Sequence, residues 1–293
     1  MSEMKNNNSA KARGIYLLPN LFTTAALFSG FYAVVASMNG RFESAAIAVF
    51  VAMIFDGLDG RIARMTGTES SFGVQYDSLS DMISFGIAPS LVSYNWALHD
   101  LGKIGWLAAF IFAVSAALRL ARFNTQVGKV DKHYFQGLAS PSAAGIVAGM
   151  VWLGQNFGWD PEQLHSLRYV AAILTVCSGL LMVSNFRYYS FKGVDLKGKV
   201  PFVVVLLIVL GIVVVALRPA LVLFCVFTIY AISGPVYTIR TVRKLKMKHV
   251  VGEDDDSDDE FDAETENKEP ENKETTQEPL NVTDLENTDE KKS

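Results

Sequence analysis

The string DGLDGRIARMTGTESSFGVQYDSLSD, residues 56–81, decides how this chain is read. It carries four aspartates, Asp56, Asp59, Asp77 and Asp81, spaced as D-x-x-D-G-x-x-A-R, eight residues, then G-x-x-x-D-x-x-x-D. The sequence on either side reads as membrane-embedded helix. An ionisable side chain in a hydrocarbon-spanning segment costs roughly 3 kcal/mol or more unless it is paired, hydrated or metal-bound. Charge at this depth therefore points to a functional site.

The case for a membrane protein rests on composition. Of 293 residues, 50% are apolar, which suits repeated passage through a bilayer and not an ordinary soluble domain. The net charge of -4 hides two opposed parts. Residues 253–293 hold 18 acidic and 4 basic side chains, so the preceding 252 residues are basic overall. A basic body suits an anionic membrane surface; no nucleic-acid partner is expected. The tail has almost no large apolar residues and cannot offset the entropy of ordering, so it reads as disordered. Cys177 and Cys225 lie in apolar runs and read as small buried side chains. The polar, basic residues 1–14 precede an apolar run too long for a cleaved signal, which fits a retained span.

Spans of adequate length fall at roughly 15–38, 42–64, 73–98, 102–122, 140–157, 168–186, 200–217 and 219–239, which predicts an all-α polytopic membrane bundle of about eight helices. Arg218-Pro219 interrupts the last apolar run, and proline there predicts a tight hairpin. With alternating topology, only Arg41, Lys103, Arg168 and Arg218 of the 22 Lys and Arg before residue 253 fall on one side. The positive-inside rule then puts both termini and the loop between the aspartate-bearing helices in the cytoplasm, at the cell (inner) membrane. The domain division is a cytoplasmic segment 1–14, a membrane domain 15–240, a juxtamembrane basic segment 241–252 and the acidic tail 253–293. Asn281-Val282-Thr283 matches a glycosylation sequon that a cytoplasmic tail would not use.

At about 100° per residue, Asp56, Asp59, Gly60, Ala63 and Arg64 share an arc of about 140° on one helix. Gly73, Asp77 and Asp81 at i, i+4, i+8 make one stripe on the next. Two antiparallel helices then face four carboxylates into one cleft, where their repulsion demands cations if they stay ionised. Oxygen-only ligands select hard ions, Mg²⁺, Mn²⁺ or Ca²⁺, and two ions would suit displacement at phosphorus. The small residues leave room for a bulky polar substrate or for close helix approach. Arg64 can clamp a diphosphate or snorkel to headgroups.

These residues match every specified position of the signature of the CDP-alcohol phosphotransferase family, which the chain resembles over roughly residues 14–240. The resemblance implies a six-helix catalytic core, a cytoplasmic-face active site, two metal ions and a homodimer. It further implies Asp56, Asp59 and Asp77 as metal ligands, Asp81 completing the site and acting as general base, and Gly60 and Arg64 contacting the CDP group. Flanking strings, PNLFTTAALFSGFYAVV (19–35), ALRLARFN (117–124) and FQGLASPSAAG (135–145), resemble the bacterial phosphatidylserine synthase branch. That branch implies transfer of a phosphatidyl group from CDP-diacylglycerol to L-serine with release of CMP. One departure is Ala139, where a proline is expected.

Outside the signature, Asn20 and Thr23 near the start of the first span can hydrogen-bond the nucleotide or serve a helix terminus. Arg119, Arg122 and Asn124 at the end of the fourth span can receive a serine carboxylate, or follow from topology and headgroup contact. His133 reads as a solvated loop residue. Two rival functions stand at this level: the same chemistry with glycerol 3-phosphate or inositol phosphate as acceptor, and a divalent-cation transporter lined by the aspartates. Arg64 among the aspartates opposes the second.

Overall fold

The computed structural model describes residues 2–68, 70–126, 134–189 and 202–251; His133, the acidic tail and its sequon lie outside the described residues. Helix α1 (Ser2–Met38) turns through Gly40 into α2 (Phe42–Thr66). Gly40 sits at φ +69°, where a side chain is disfavoured. The third rod is composite: α3 (Ser71–Asp81), a π-helical turn (Met82–Ile87), α4 (Ala88–Ser93) and a second π-helical turn (Tyr94–Leu98). Pro89 offers no N–H to the turn before it, so the regular i→i−4 ladder cannot run straight through. Then come α5 (Lys103–Gln126), α6 (Ser140–Asn156), α7 (His165–Val183), α8 (Phe202–Leu217) and α9 (Pro219–Val251).

Eight rods among the described residues thus occupy the eight apolar stretches, and the chain is an all-α membrane bundle. Among the described residues, four helical segments are long and apolar enough to cross a bilayer by themselves: Leu18–Met38, Lys103–Thr125, His165–Val183 and Pro219–Arg240. The polar end of α2, with Asp56, Asp59, Arg61 and Arg64, and the 17-residue length of α6 explain why those two do not qualify. A three-residue antiparallel ribbon, β1 (Tyr134–Gln136) with β2 (Arg187–Tyr189), is added between the helices. Tyr188 anchors it: wholly buried, it donates to the Ala231 carbonyl at 2.9 Å. Burial and the neighbouring Tyr230 push its phenol up to about 12, so it remains a donor at physiological pH.

Alanines set the core. Ala33 and Ala36 of α1 pack with Ala45, Ala46, Ala48, Val49 and Ala52 of α2 in a cluster that takes in Phe85, Val92 and Trp96 of the third rod and extends to buried residues of α5, α6 and α7. Side chains this small let backbones approach closely, which is how helices associate where lipid is as apolar as leucine. Gly179 does the same between α7 and α5, where a Cβ would stand 3.1 Å from the Phe112 Cα.

Two expectations are corrected. Cys177 and Cys225 are exposed on the outer faces of α7 and α9, because an apolar residue in a membrane helix is as well placed toward lipid as toward the core. The chain does break at Arg218-Pro219, but α8 shows no buried face among its described side chains, so it is not the packed arm of a hairpin. One intervening residue is too short to reverse the chain into side-by-side packing.

The closest backbone approach yields a test. A Cβ on Gly105 would collide with the Leu98 carbonyl, whereas one on Gly211 meets nothing within 4 Å. Gly105→Ala should cost about 1–3 kcal/mol and lower Tm in detergent by about 5 °C. Gly211→Ala should leave Tm unchanged or raise it.

Candidate active site

The cleft grows from how α2 ends and α3 begins. Gly67 caps α2 in the left-handed region at φ +62°, its N–H donating to the Ala63 carbonyl. Three residues on, Ser70 caps α3 by accepting from the Gly73 N–H at 3.0 Å. This short reversal brings the ends of the two aspartate-bearing helices together. Asp56, Asp59 and Asp77 each then offer a carboxylate oxygen within 4.8 Å of the others. Asp81 lies against Asp56, in side-chain hydrogen-bonding contact, and so adjoins the triad from one side.

A third wall comes from α1, which packs against both other helices. Thr23, 4% exposed, donates from its hydroxyl to Asp59 Oδ2 at 2.7 Å. Ser80, beside Asp81, donates to the Thr23 carbonyl at 3.1 Å, and Ser84 donates to the Ala26 carbonyl at 3.1 Å. The Thr23 hydroxyl thus bonds Asp59, a partner that neither of the two roles read from sequence, nucleotide contact or helix terminus, had named. Nothing in the spacing of the signature reports these hydroxyl bonds. A weak signal existed: Ser78, Ser80 and Ser84 cluster along the third rod beside Asp77 and Asp81.

Beside the triad lies a cavity of about 140 Å³, lined among others by Asn20, Thr23, Asp59, Gly60, Arg64 and Asp77. Ala63 and Gly73 also face it, as do Thr68 and Ser70, which the sequence reading did not single out. The two signature glycines differ in what they do. A Cβ on Gly60 would meet only the Arg64 guanidinium, at 3.7 Å, so this glycine keeps the cavity open and packs nothing. A Cβ on Gly73 would press on Ser70 Oγ at 3.1 Å and approach Asn20 Oδ1 at 3.6 Å.

The residues at the end of α5 separate. Arg119 turns inward, with Asp81 and Tyr230 as its electrostatic neighbours. Its Nη1 donates to the buried Ser140 Oγ at 2.8 Å, and its Nε is buried without a hydrogen-bond partner. Arg122 instead donates to Asn185 Oδ1 at 3.3 Å on the exposed side. Asn124 donates to Ser78 Oγ at 3.0 Å, tying α5 to α3.

The donor set fits a hard divalent cation. All ligand atoms are carboxylate oxygens, and Asp77 Oδ1 is buried with no hydrogen-bond partner, an arrangement that burial penalises unless a cation or donor arrives.

Comparison with known proteins matches residues 16–230 to the model of the CDP-alcohol phosphatidyltransferase family. The chain belongs to that family. Among curated relatives of this CDP-alcohol phosphatidyltransferase is a CDP-diacylglycerol--serine O-phosphatidyltransferase of Helicobacter pylori, 38% identical over 75% of this chain and 90% of the relative. A protein of the same name from Methanocaldococcus jannaschii is 34% identical over 66% of this chain and 83% of its own length. An archaetidylserine synthase of Methanothermobacter thermautotrophicus is 32% identical over 64% and 75%.

The two glycines make contrasting predictions. Gly60→Ala should leave Tm unchanged or slightly raised, since alanine favours helix and nothing obstructs it. Gly73→Ala should lower Tm by disturbing the Ser70 cap, whose loss costs about 1 kcal/mol. Thermal unfolding of both variants in one detergent reads the difference.

Proposed function

We propose that this chain transfers the phosphatidyl group of CDP-diacylglycerol to the hydroxyl of L-serine, giving phosphatidylserine and CMP. The observation that carries the reading is the meeting of Asp56, Asp59 and Asp77 beside a cavity that also holds Gly60 and Arg64. Phosphoryl chemistry needs that combination of cation site and diphosphate-binding surface. Serine as the acceptor is supported by the names of the relatives.

In this reading Asp56, Asp59 and Asp77 hold divalent cations, two Mg²⁺ or Mn²⁺ ions, and Asp81 completes the set through its contact with Asp56. When bound, such ions neutralise the diphosphate and the charge developing on the attacking and leaving oxygens. Asn20, Thr23, Gly60, Ala63, Arg64 and Gly73 form the CDP-diacylglycerol side of the cleft, with Arg64 on the diphosphate. Asp81 accepts the serine hydroxyl proton as the serine oxygen bonds to the lipid-bearing phosphorus. The bond from that phosphorus to the CMP oxygen breaks, and CMP leaves with the bonding pair.

Acceptor recognition falls to Arg119. Its buried, unpartnered Nε and its nearness to Asp81 suit a ligand with a carboxylate a few ångströms from its hydroxyl. Arg122 and Asn124 belong to this side by position, but their side chains are engaged by Asn185 and Ser78.

The remaining proposals concern setting. The catalytic domain is residues 15–240, flanked by segments 1–14, 241–252 and 253–293. The distribution of Lys and Arg supports a multi-pass protein of the cell membrane with both termini and the cleft cytoplasmic. The assembly proposed is a homodimer, which cross-linking in native membranes would reveal.

Purified protein should release CMP from CDP-diacylglycerol when serine is supplied, not with glycerol 3-phosphate, and EDTA should abolish it. No CMP under any condition would remove the reading. Asp81→Asn should cut turnover by about 10²–10⁴-fold while CDP-diacylglycerol still binds. Equal loss of binding and rate would count against a general base.

The two arginines separate in a serine titration. Arg119→Lys should raise KM for serine about tenfold or more, since lysine cannot reproduce the planar fork. Arg122→Gln should stay within about twofold, as an exposed rim contact contributes little.

A further inference from the structure

Thr23 joins the two helices that carry the aspartates, using different atoms for each. Its hydroxyl lies 2.7 Å from Asp59 Oδ2 on α2 and 3.2 Å from the Pro19 carbonyl of its own helix. One proton cannot serve both fully, and the shorter contact lies in the range of a charge-assisted bond to a carboxylate. Its backbone carbonyl accepts from Ser80 Oγ, immediately before Asp81 on α3. Thr23 and Ser80 are 4% and 2% exposed, so neither bond competes with water.

We propose that Thr23 is a positioning residue: it selects which oxygen of Asp59 faces the triad and holds α2 and α3 at the heights that bring Asp59 and Asp77 together. This rests on the carboxylates being the cation site described above. With Oδ2 held by the Thr23 hydroxyl, the Asp59 rotamer is fixed before any ligand arrives. A partner that orients a metal ligand in this way commonly changes metal affinity by about 10–100-fold when removed. Gly30 is the reason α1 can act at this range, because a Cβ there would overlap Ser84 of the third rod. The signature itself contains no α1 residue.

The experiment is Mn²⁺ titration of the full chain in lipid nanodiscs, read by electron paramagnetic resonance, with CMP release measured on the same samples. Thr23→Val keeps the shape and removes the donor; it should weaken Mn²⁺ binding about tenfold or more. Thr23→Ser keeps the donor and should restore affinity to within about threefold of wild type, a rescue that a purely packing role would not produce. Ser80→Ala, which cuts the link to α3, should weaken Mn²⁺ binding to a smaller extent. If Thr23→Val is not monodisperse, Thr23→Ala gives the same readout without a new apolar branch. Wild-type affinity in the folded donor-less variant overturns the role of Thr23, and wild-type affinity in Ser80→Ala overturns the link to α3. Wild-type protein that binds Mn²⁺ but releases no CMP with serine overturns the transferase reading alone, since the affinity ratios do not depend on the acceptor.

Discussion

Repulsion among carboxylates in a low-dielectric setting is the constraint on which the rest of this structure depends. Two such charges about 4–5 Å apart oppose each other by about 3–4 kcal/mol at an effective dielectric near 20. The chain nevertheless brings Asp56, Asp59 and Asp77 to that separation and sets Asp81 against them. The arrangement persists because neighbouring helices supply compensation: a hydroxyl from α1 to Asp59, a guanidinium from α5 beside Asp81, and a cavity lined by Asp59 and Asp77. Removing those partners would leave charge buried without a counterpart, which is the costlier state.

Small residues make this compensation sterically possible. Alanines along α1 and α2 and glycines where α1 meets the third rod let backbones approach until short hydroxyls reach carbonyls of the next helix. A threonine or serine side chain spans only a few ångströms, so a methyl group at Gly30 would break the contact it depends on. Packing and polar chemistry are therefore one device here. The alanines that look like bland core filler fix the distances at which Thr23, Ser80 and Ser84 act.

The cleft has two unlike sides, divided by the aspartates. On the side of Gly60, Arg64 and Asn20 lies the cavity, roofed by the short link between α2 and α3. On the other side, Arg119 is held by Ser140 and neighboured by Tyr230, so α5, α6 and α9 converge there. Residues outside the signature thus build the second side. The buried Tyr188, bonded to α9 and carried on the small ribbon, braces this side from below.

Sequence alone was enough for the helices and for the grouping of Asp56, Asp59 and Asp77 in one cleft. Span lengths follow from hydropathy because a bilayer leaves the backbone no other way to satisfy its hydrogen bonds. The faces of the aspartate helices follow from a fixed helical period, and proline marked the break at residue 219. Only the tertiary structure decided which side chains meet across helices. It turned Arg119 inward and Arg122 outward though they sit one turn apart, committed Asn124 to Ser78, placed both cysteines on the outer surface, and gave α1 a part in the site. The physical reason is common to all of these. Periodicity along one helix is a local property, whereas the partner a side chain finds depends on how closely and at what height a second helix lies against it.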